Sequence, residues 1–189
     1  MDRGERRRGA EVIILDACDL INLFASGRVR DILASLPATF VVAKYVAERE
    51  ALYTLSDLAR GIREPIDLAP LAAEGLVQIV DLLTDDEMAT FVELTTKVED
   101  GEAATCALAL HHGYTVATDE RKVLNLIRRT MPSLRVRTTS DLVKWWSEVA
   151  AIADDGVSEA LRNIQSRARF TPNPHDPFID WWDRLTRST

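Results

Sequence analysis

The stretch from Val98 to Lys122, VEDGEAATCALALHHGYTVATDERK, most constrains what this chain can fold into. Its alanines predict a thin helix from about Gly101 to His112, and Gly113 is a good stop for it. Tyr114–Thr118 then reads as a short buried strand that delivers Asp119, and Glu120–Arg129 as the next helix. Helix, glycine, strand, acid, helix is one turn of a parallel α/β sheet. Ligands gather beyond the carboxyl ends of such strands. Glu102, in the helix's first turn, and Asp119, at the strand's end, are the first candidates for that edge.

The rest of the chain extends the pattern. Glu11–Leu15 is a buried strand ended by Asp16, and Asp19–Phe24 and Val29–Leu36 are helices. Phe40–Val42 is a second strand. A long helix is expected from Lys44 to Arg60, with Val46, Ala47, Ala51, Leu55 and Leu58 at helical spacing. On that helix Glu50 falls on the inward side and Glu48 at its margin, so both stay candidates. Ile62–Pro70 reads as loop, and Leu76–Leu82 as a strand at an edge of the sheet or a hairpin arm. Thr84 to Glu87 is a capping box, followed by a helix whose Met88, Phe91 and Val92 should face the core. Leu134–Arg137 is a further strand, and Ser140 or Asp141 caps a helix carrying Trp145 and Trp146. The expected fold class is α/β: three α/β/α layers around a central, mostly parallel sheet, with a C-terminal helical appendage.

A chain of 189 residues suits one domain of about 11–153 and an appendage of 154–189, preceded by a flexible basic tail at 1–10. Hydrophobic residues make up 47%, enough for a packed core. Two cysteines, Cys18 and Cys106, imply no disulfide framework, so a reducing cytoplasm is the expected compartment. Val12–Leu15 is far too short to span a membrane. A net charge of −7 argues against a general nucleic-acid coat protein, though not against a nuclease whose acids line one cleft.

Each acid also has a plain structural reading. Asp100 can cap the helix that holds Glu102, Asp119 can cap the next, and Asp16 the helix after the first strand. Singly, capping is at least as good an account as catalysis. Together the acids arrive at one edge without matching cations in the same motifs. Gathered carboxylates raise each other's pKa, and a divalent cation relieves that conflict. Oxygen ligands point to Mg²⁺ or Mn²⁺.

Four segments carry a resemblance: VIILDACDLINLF (Val12–Phe24), VVAKYVAEREAL (Val41–Leu52), DGEAATCALAL (Asp100–Leu110) and VATDERKVLNL (Val116–Leu126). In this order they resemble the PIN-domain family over residues 12 to about 146. The resemblance implies a metal-dependent endoribonuclease, VapC-like, acting as the toxin of a toxin–antitoxin pair. Carboxylates would hold Mg²⁺ (or Mn²⁺), and metal-activated water would attack an RNA phosphodiester in line. Asp16, Glu102 and Asp119 would be direct ligands. Glu50 or Glu48 would complete the catalytic set, with Asp100 and Glu120 behind them. A small antitoxin protein and a second copy of the chain would be its partners, with no membrane involved. Two other readings stand beside it. One is a catalytically silent PIN-like module that binds RNA or protein. The other is an acid-cluster phosphoryl-transfer enzyme, although Asp16-Ala-Cys-Asp19 has the wrong gap for an Asp-x-Asp phosphatase.

Overall fold

The computed structural model describes residues 11–50, 52–57 and 61–187. The chain begins with β1 (Glu11–Leu15), α1 (Ala17–Ala25), α2 (Val29–Ser35), β2 (Ala38–Ala43) and α3 (Lys44–Arg49). It continues through β3 (Tyr53–Asp57), β4 (Ile62–Pro65), α4 (Ala69–Ala73), β5 (Gln78–Val80), α5 (Asp85–Thr95) and α6 (Asp100–His112). After β6 (Thr115–Ala117) come α7 (Arg121–Thr130), β7 (Val136–Arg137), α8 (Thr139–Val149), α9 (Asp154–Arg167) and α10 (Ile179–Arg187). The expected basic tail, residues 1–10, lies outside the described residues. Among the described residues no helix is long and apolar enough to cross a membrane.

The architecture is α/β, a five-stranded sheet flanked by helices, consistent with three α/β/α layers. The strand order is β5-β2-β1-β6-β7, and all four pairings are parallel. Ile13, Ile14 and Leu15 of the central strand are fully buried, as a strand covered on both faces requires. Two compact units make up the chain. The first holds residues 11–18, 37–50 and 68–137, and so the whole sheet. Within it α6 packs on β1, β2 and β6, and α3 and α5 pack on α6. Ala103, Ala104, Ala107 and Ala109 are buried, and their small side chains let the helix lie close to the strands. Gly113 ends α6 in the left-handed conformation, φ 69°.

The second unit holds residues 19–36, 138–187 and the described part of 51–67. Here β3 and β4 form an antiparallel hairpin, α9 packs on β3, and α10 on α9. Residues 154–187, expected as an appendage, share this unit with 138–153. Trp182 is fully buried, and Phe170 meets it edge-on at 5.8 Å between ring centroids.

Several elements differ from the sequence reading. The helix expected over Lys44–Arg60 stops at Arg49, and Glu50 is its extended C-cap (φ −82°, ψ 141°). Apolar residues at 51 and 55 fit a helical period, but Leu52, Tyr53, Thr54 and Leu55 also suit a strand. The ladder to β4 decides between the two. Ile62–Pro65, expected as loop, is the other arm, with Pro65 tolerated at a strand end. Met88 and Val92 are 45% and 58% exposed rather than packed inward, and Leu94 holds α5 to the core instead. Thr138, not Ser140 or Asp141, caps α8. Glu99 and Glu120, not Asp100 and Asp119, are the N-cap residues of α6 and α7. The box at Thr84 and Glu87 is as expected.

Candidate functional site

Adjacent parallel strands set the site. Leu15 of β1 pairs with Ala117 of β6, so Asp16 and Thr118 leave the sheet side by side. The N–H of Asp16 donates to the Ala117 carbonyl at 3.0 Å, which carries the register one step past the strand end. Asp16 is only 3% exposed. A buried carboxylate needs donors, and this one has three. The Ala17 N–H donates to Oδ1 at 2.8 Å, the Thr118 hydroxyl to Oδ2 at 3.0 Å, and the Cys18 thiol to Oδ2 at 3.7 Å. Thr118 is held in turn by the Glu120 N–H, which donates to its oxygen at 3.1 Å. Burial still wins, and it pushes the Asp16 pKa up, helped by the charge of Glu120.

The other acids come from the amino end of α6 and the end of α3. Glu102 Oε2 accepts the Glu99 N–H at 2.9 Å, satisfying one donor of the helix's first turn. Its pKa is raised by burial first, then by the charges of Asp16, Glu120 and Glu99. Glu50 reaches the same place from the C-cap of α3. Its carboxyl takes the Gly101 N–H and is raised by burial and by Asp16, Glu99 and Asp100. A side chain at Gly101 would collide with Glu50 Oε1 and stand 3.1 Å from its Cδ. The glycine therefore makes the room that this acid uses.

The structure thus brings Glu50, Glu102 and Glu120 each within electrostatic reach of Asp16, and Glu102 within reach of Glu120. Asp119 follows Thr118 at the same strand end, and its N–H donates to Cys18 Sγ at 3.5 Å. Asp100 is exposed and accepts the Tyr45 hydroxyl at 2.7 Å. Glu48 goes elsewhere. It is exposed on the wall of a separate hollow of about 240 Å³, which also holds Lys44, Met88 and Phe91. Glu99 was missed by the sequence reading, although its place in the acidic run Glu99-Asp100-Gly101-Glu102 is visible. Thr118 was missed too, because nothing in a strand's last threonine marks it as a carboxylate's donor.

Compared with models of known protein families and with curated proteins, the chain matches none of either.

The donor chemistry fits a hard divalent cation: oxygen only, and mutually repelling. The placement is not yet a coordination sphere, since among the described residues no three His, Cys, Asp or Glu side chains group closely enough to hold a metal. Cys106 is fully buried within electrostatic reach of Asp16 and Glu102. Burial, helped by those two charges, pushes its thiol up to about 12, which fits a packing role.

Proposed function

We propose that the chain is a metal-dependent endoribonuclease of the PIN type, the toxin of a toxin–antitoxin pair. One observation carries the reading. Asp16 at the carboxyl edge of a parallel sheet lies within electrostatic reach of both Glu50 and Glu102, and each of the three carboxyls is raised by burial and by neighbouring acids. Such a gathering costs stability unless a counter-charge joins it. Asp16, Glu102 and Asp119 would hold Mg²⁺ or Mn²⁺, with Glu50 completing the set. When bound, that cation would acidify water and offset charge developing on an RNA phosphodiester. The chain's own residues do the positioning. The Ala17 N–H and the Thr118 hydroxyl hold Asp16, the Glu99 N–H ties one oxygen of Glu102, and Gly101 steers Glu50. RNA is the proposed substrate. A small antitoxin and a second copy of the chain are the proposed partners, in the cytoplasm.

Cleavage of a single-stranded RNA should require Mg²⁺ or Mn²⁺ and stop in chelator. Glu50→Gln should reduce it more than Glu48→Gln, because only Glu50 faces Asp16. Absence of metal-dependent cleavage, or the reverse ranking, removes the proposal. A second reading has its own support. Asp16, Glu50 and Glu102 each already accept a backbone N–H, and the acids do not stand as a ligand group. In that reading the acids only finish helix and strand ends, and the module binds RNA or protein without cutting. Thermal melts with Mn²⁺ separate the two, since a ligand of the folded state must stabilise it.

A further inference from the structure

A second hollow, in the other unit, has the opposite charge. It measures about 430 Å³ and is lined by Ile21, Tyr53, Leu55, Arg63, Arg167 and Arg169. That is within the size range of small-ligand sites. The hairpin builds one wall. Tyr53 and Leu55 lie two apart on β3 and share a face. Arg63 pairs directly opposite Leu55, which puts it diagonal to Tyr53. Its guanidinium stacks over the Tyr53 ring, with Cζ 4.2 Å from the centroid. The end of α9 builds the other wall. Arg167 is anchored by Glu64 at 3.2 Å and by the Thr54 hydroxyl at 3.4 Å. Arg169 stands where a helix commonly places glycine, in the left-handed region at φ 56°.

The charges do not cancel. Among the described residues Arg63 and Arg169 have no carboxylate partner, and Glu64 answers Arg167 alone. The carboxyl end of α9 adds roughly half a negative charge, which leaves the described residues of the hollow at about +1.5. In a chain of net charge −7 this is a local reversal of sign. A solvated rim would account for scattered arginines, but not for three that line one cavity together with an aromatic ring and two aliphatic side chains.

We infer that this hollow is a binding site for a phosphorylated nucleoside. Guanidinium forks match phosphate oxygens, and guanidinium planes and tyrosine rings stack on bases. The Tyr53 ring already holds the Arg63 guanidinium before any ligand arrives, so less ordering remains to be done on binding. None of these residues belongs to the acid cluster, and the inference stands whether or not the chain cuts RNA.

The test is calorimetric titration of the full chain in chelator, which silences any metal-dependent cleavage. The probes are uridine monophosphate, uridine and inorganic phosphate. Uridine monophosphate should bind saturably, one per chain, and more tightly than either of the other two. Arg63→Gln and Arg169→Gln should each weaken it by about tenfold or more. Both side chains are exposed, so folding should survive, and unchanged melting curves verify that. Tyr53→Leu should keep phosphate binding and lose the preference for the nucleotide. No saturable binding by the unaltered chain overturns the inference, as does equal affinity in Arg169→Gln. Phosphate binding as tightly as the nucleotide overturns the base contact.

Discussion

The carboxylate of Glu50 occupies the space that a side chain on Gly101 would fill, and it takes the N–H of that same glycine. The atom in the way is the far end of a flexible side chain, so an added methyl is accommodated by moving Glu50, not the backbone. Gly101→Ala should therefore leave the melting temperature nearly unchanged, since alanine in a helix gains about 0.5–1 kcal/mol over glycine. It should also shrink the shift in melting temperature produced by Mn²⁺. An undiminished Mn²⁺ shift in that variant would show that Glu50 has no part in binding metal.

Repulsion among the acids gives a second expectation. Without metal, Glu102→Gln should raise the melting temperature at pH 7, because burial and three neighbouring acids oppose its charge. Each kcal/mol relieved moves the midpoint by roughly 2–4 °C in a chain of this size. With saturating Mn²⁺ the order should reverse and the unaltered protein should melt higher. A variant less stable under both conditions would mean that the bond from the Glu99 N–H outweighs the repulsion.

Asp16→Asn isolates charge from shape. Asparagine can still accept the Ala17 N–H through its oxygen and can donate to the Thr118 hydroxyl through its nitrogen. The variant should fold and lose most of the Mn²⁺ stabilisation. Equal metal-induced shifts in both proteins, read by calorimetry, would remove Asp16 from the ligand set.

How much of this was legible in the sequence depends on the range of the interactions. Asp16 and Asp119 were visible because a buried strand followed by an acid is a local pattern, and the parallel pairing of β1 with β6 then brings them to one edge. Glu50 was favoured over Glu48 on the phase of a long helix. That helix ends at Arg49, so the acid reaches the cluster for a different reason, as an extended C-cap beside a glycine. The hairpin at 53–65 was unreadable for the same cause. Its residues tolerate either period, and the ladder that settles the matter lies in tertiary pairing. Caps shifted by one to three residues, as at Glu99 and Thr138, since neighbouring polar residues compete for the same backbone donors.

Glu87 predicts a pH dependence away from the site. The Leu83 and Thr84 N–H groups and His112 hold its carboxyl down to about 2. A depressed carboxyl stabilises the fold above its unfolded value, and that contribution is lost as pH falls from about 4.5 toward 2. Glu87→Ala should melt lower than the unaltered chain at pH 6, and the gap should close on acidification to pH 2–3. A gap that stays constant with pH would assign the loss to packing alone.

Trp182 tests the C-terminal helices. It is fully buried, and its indole N–H has no partner among the described residues. Trp182→Ala should cost about 3–5 kcal/mol, and Trp182→Phe much less, because phenylalanine leaves no buried donor unpaired. Removal of residues 154–189 should aggregate the protein or lower its melting point, since Val157, Leu161 and Ile164 are buried as well. Urea melts rank the variants, and an unperturbed truncation would show that these helices are dispensable.

The bond from the Thr118 hydroxyl to Asp16 joins residues 102 positions apart. On a ribosome adding about 5–20 residues per second, the partner of Asp16 is synthesised roughly 5–20 s after Asp16 itself. Through that interval β1 has no complete β6 beside it, and for most of it the acids of α6 do not yet exist. A nascent chain therefore carries Asp16 for some seconds without the hydroxyl that holds it, and the cluster cannot be complete before Thr118 is made.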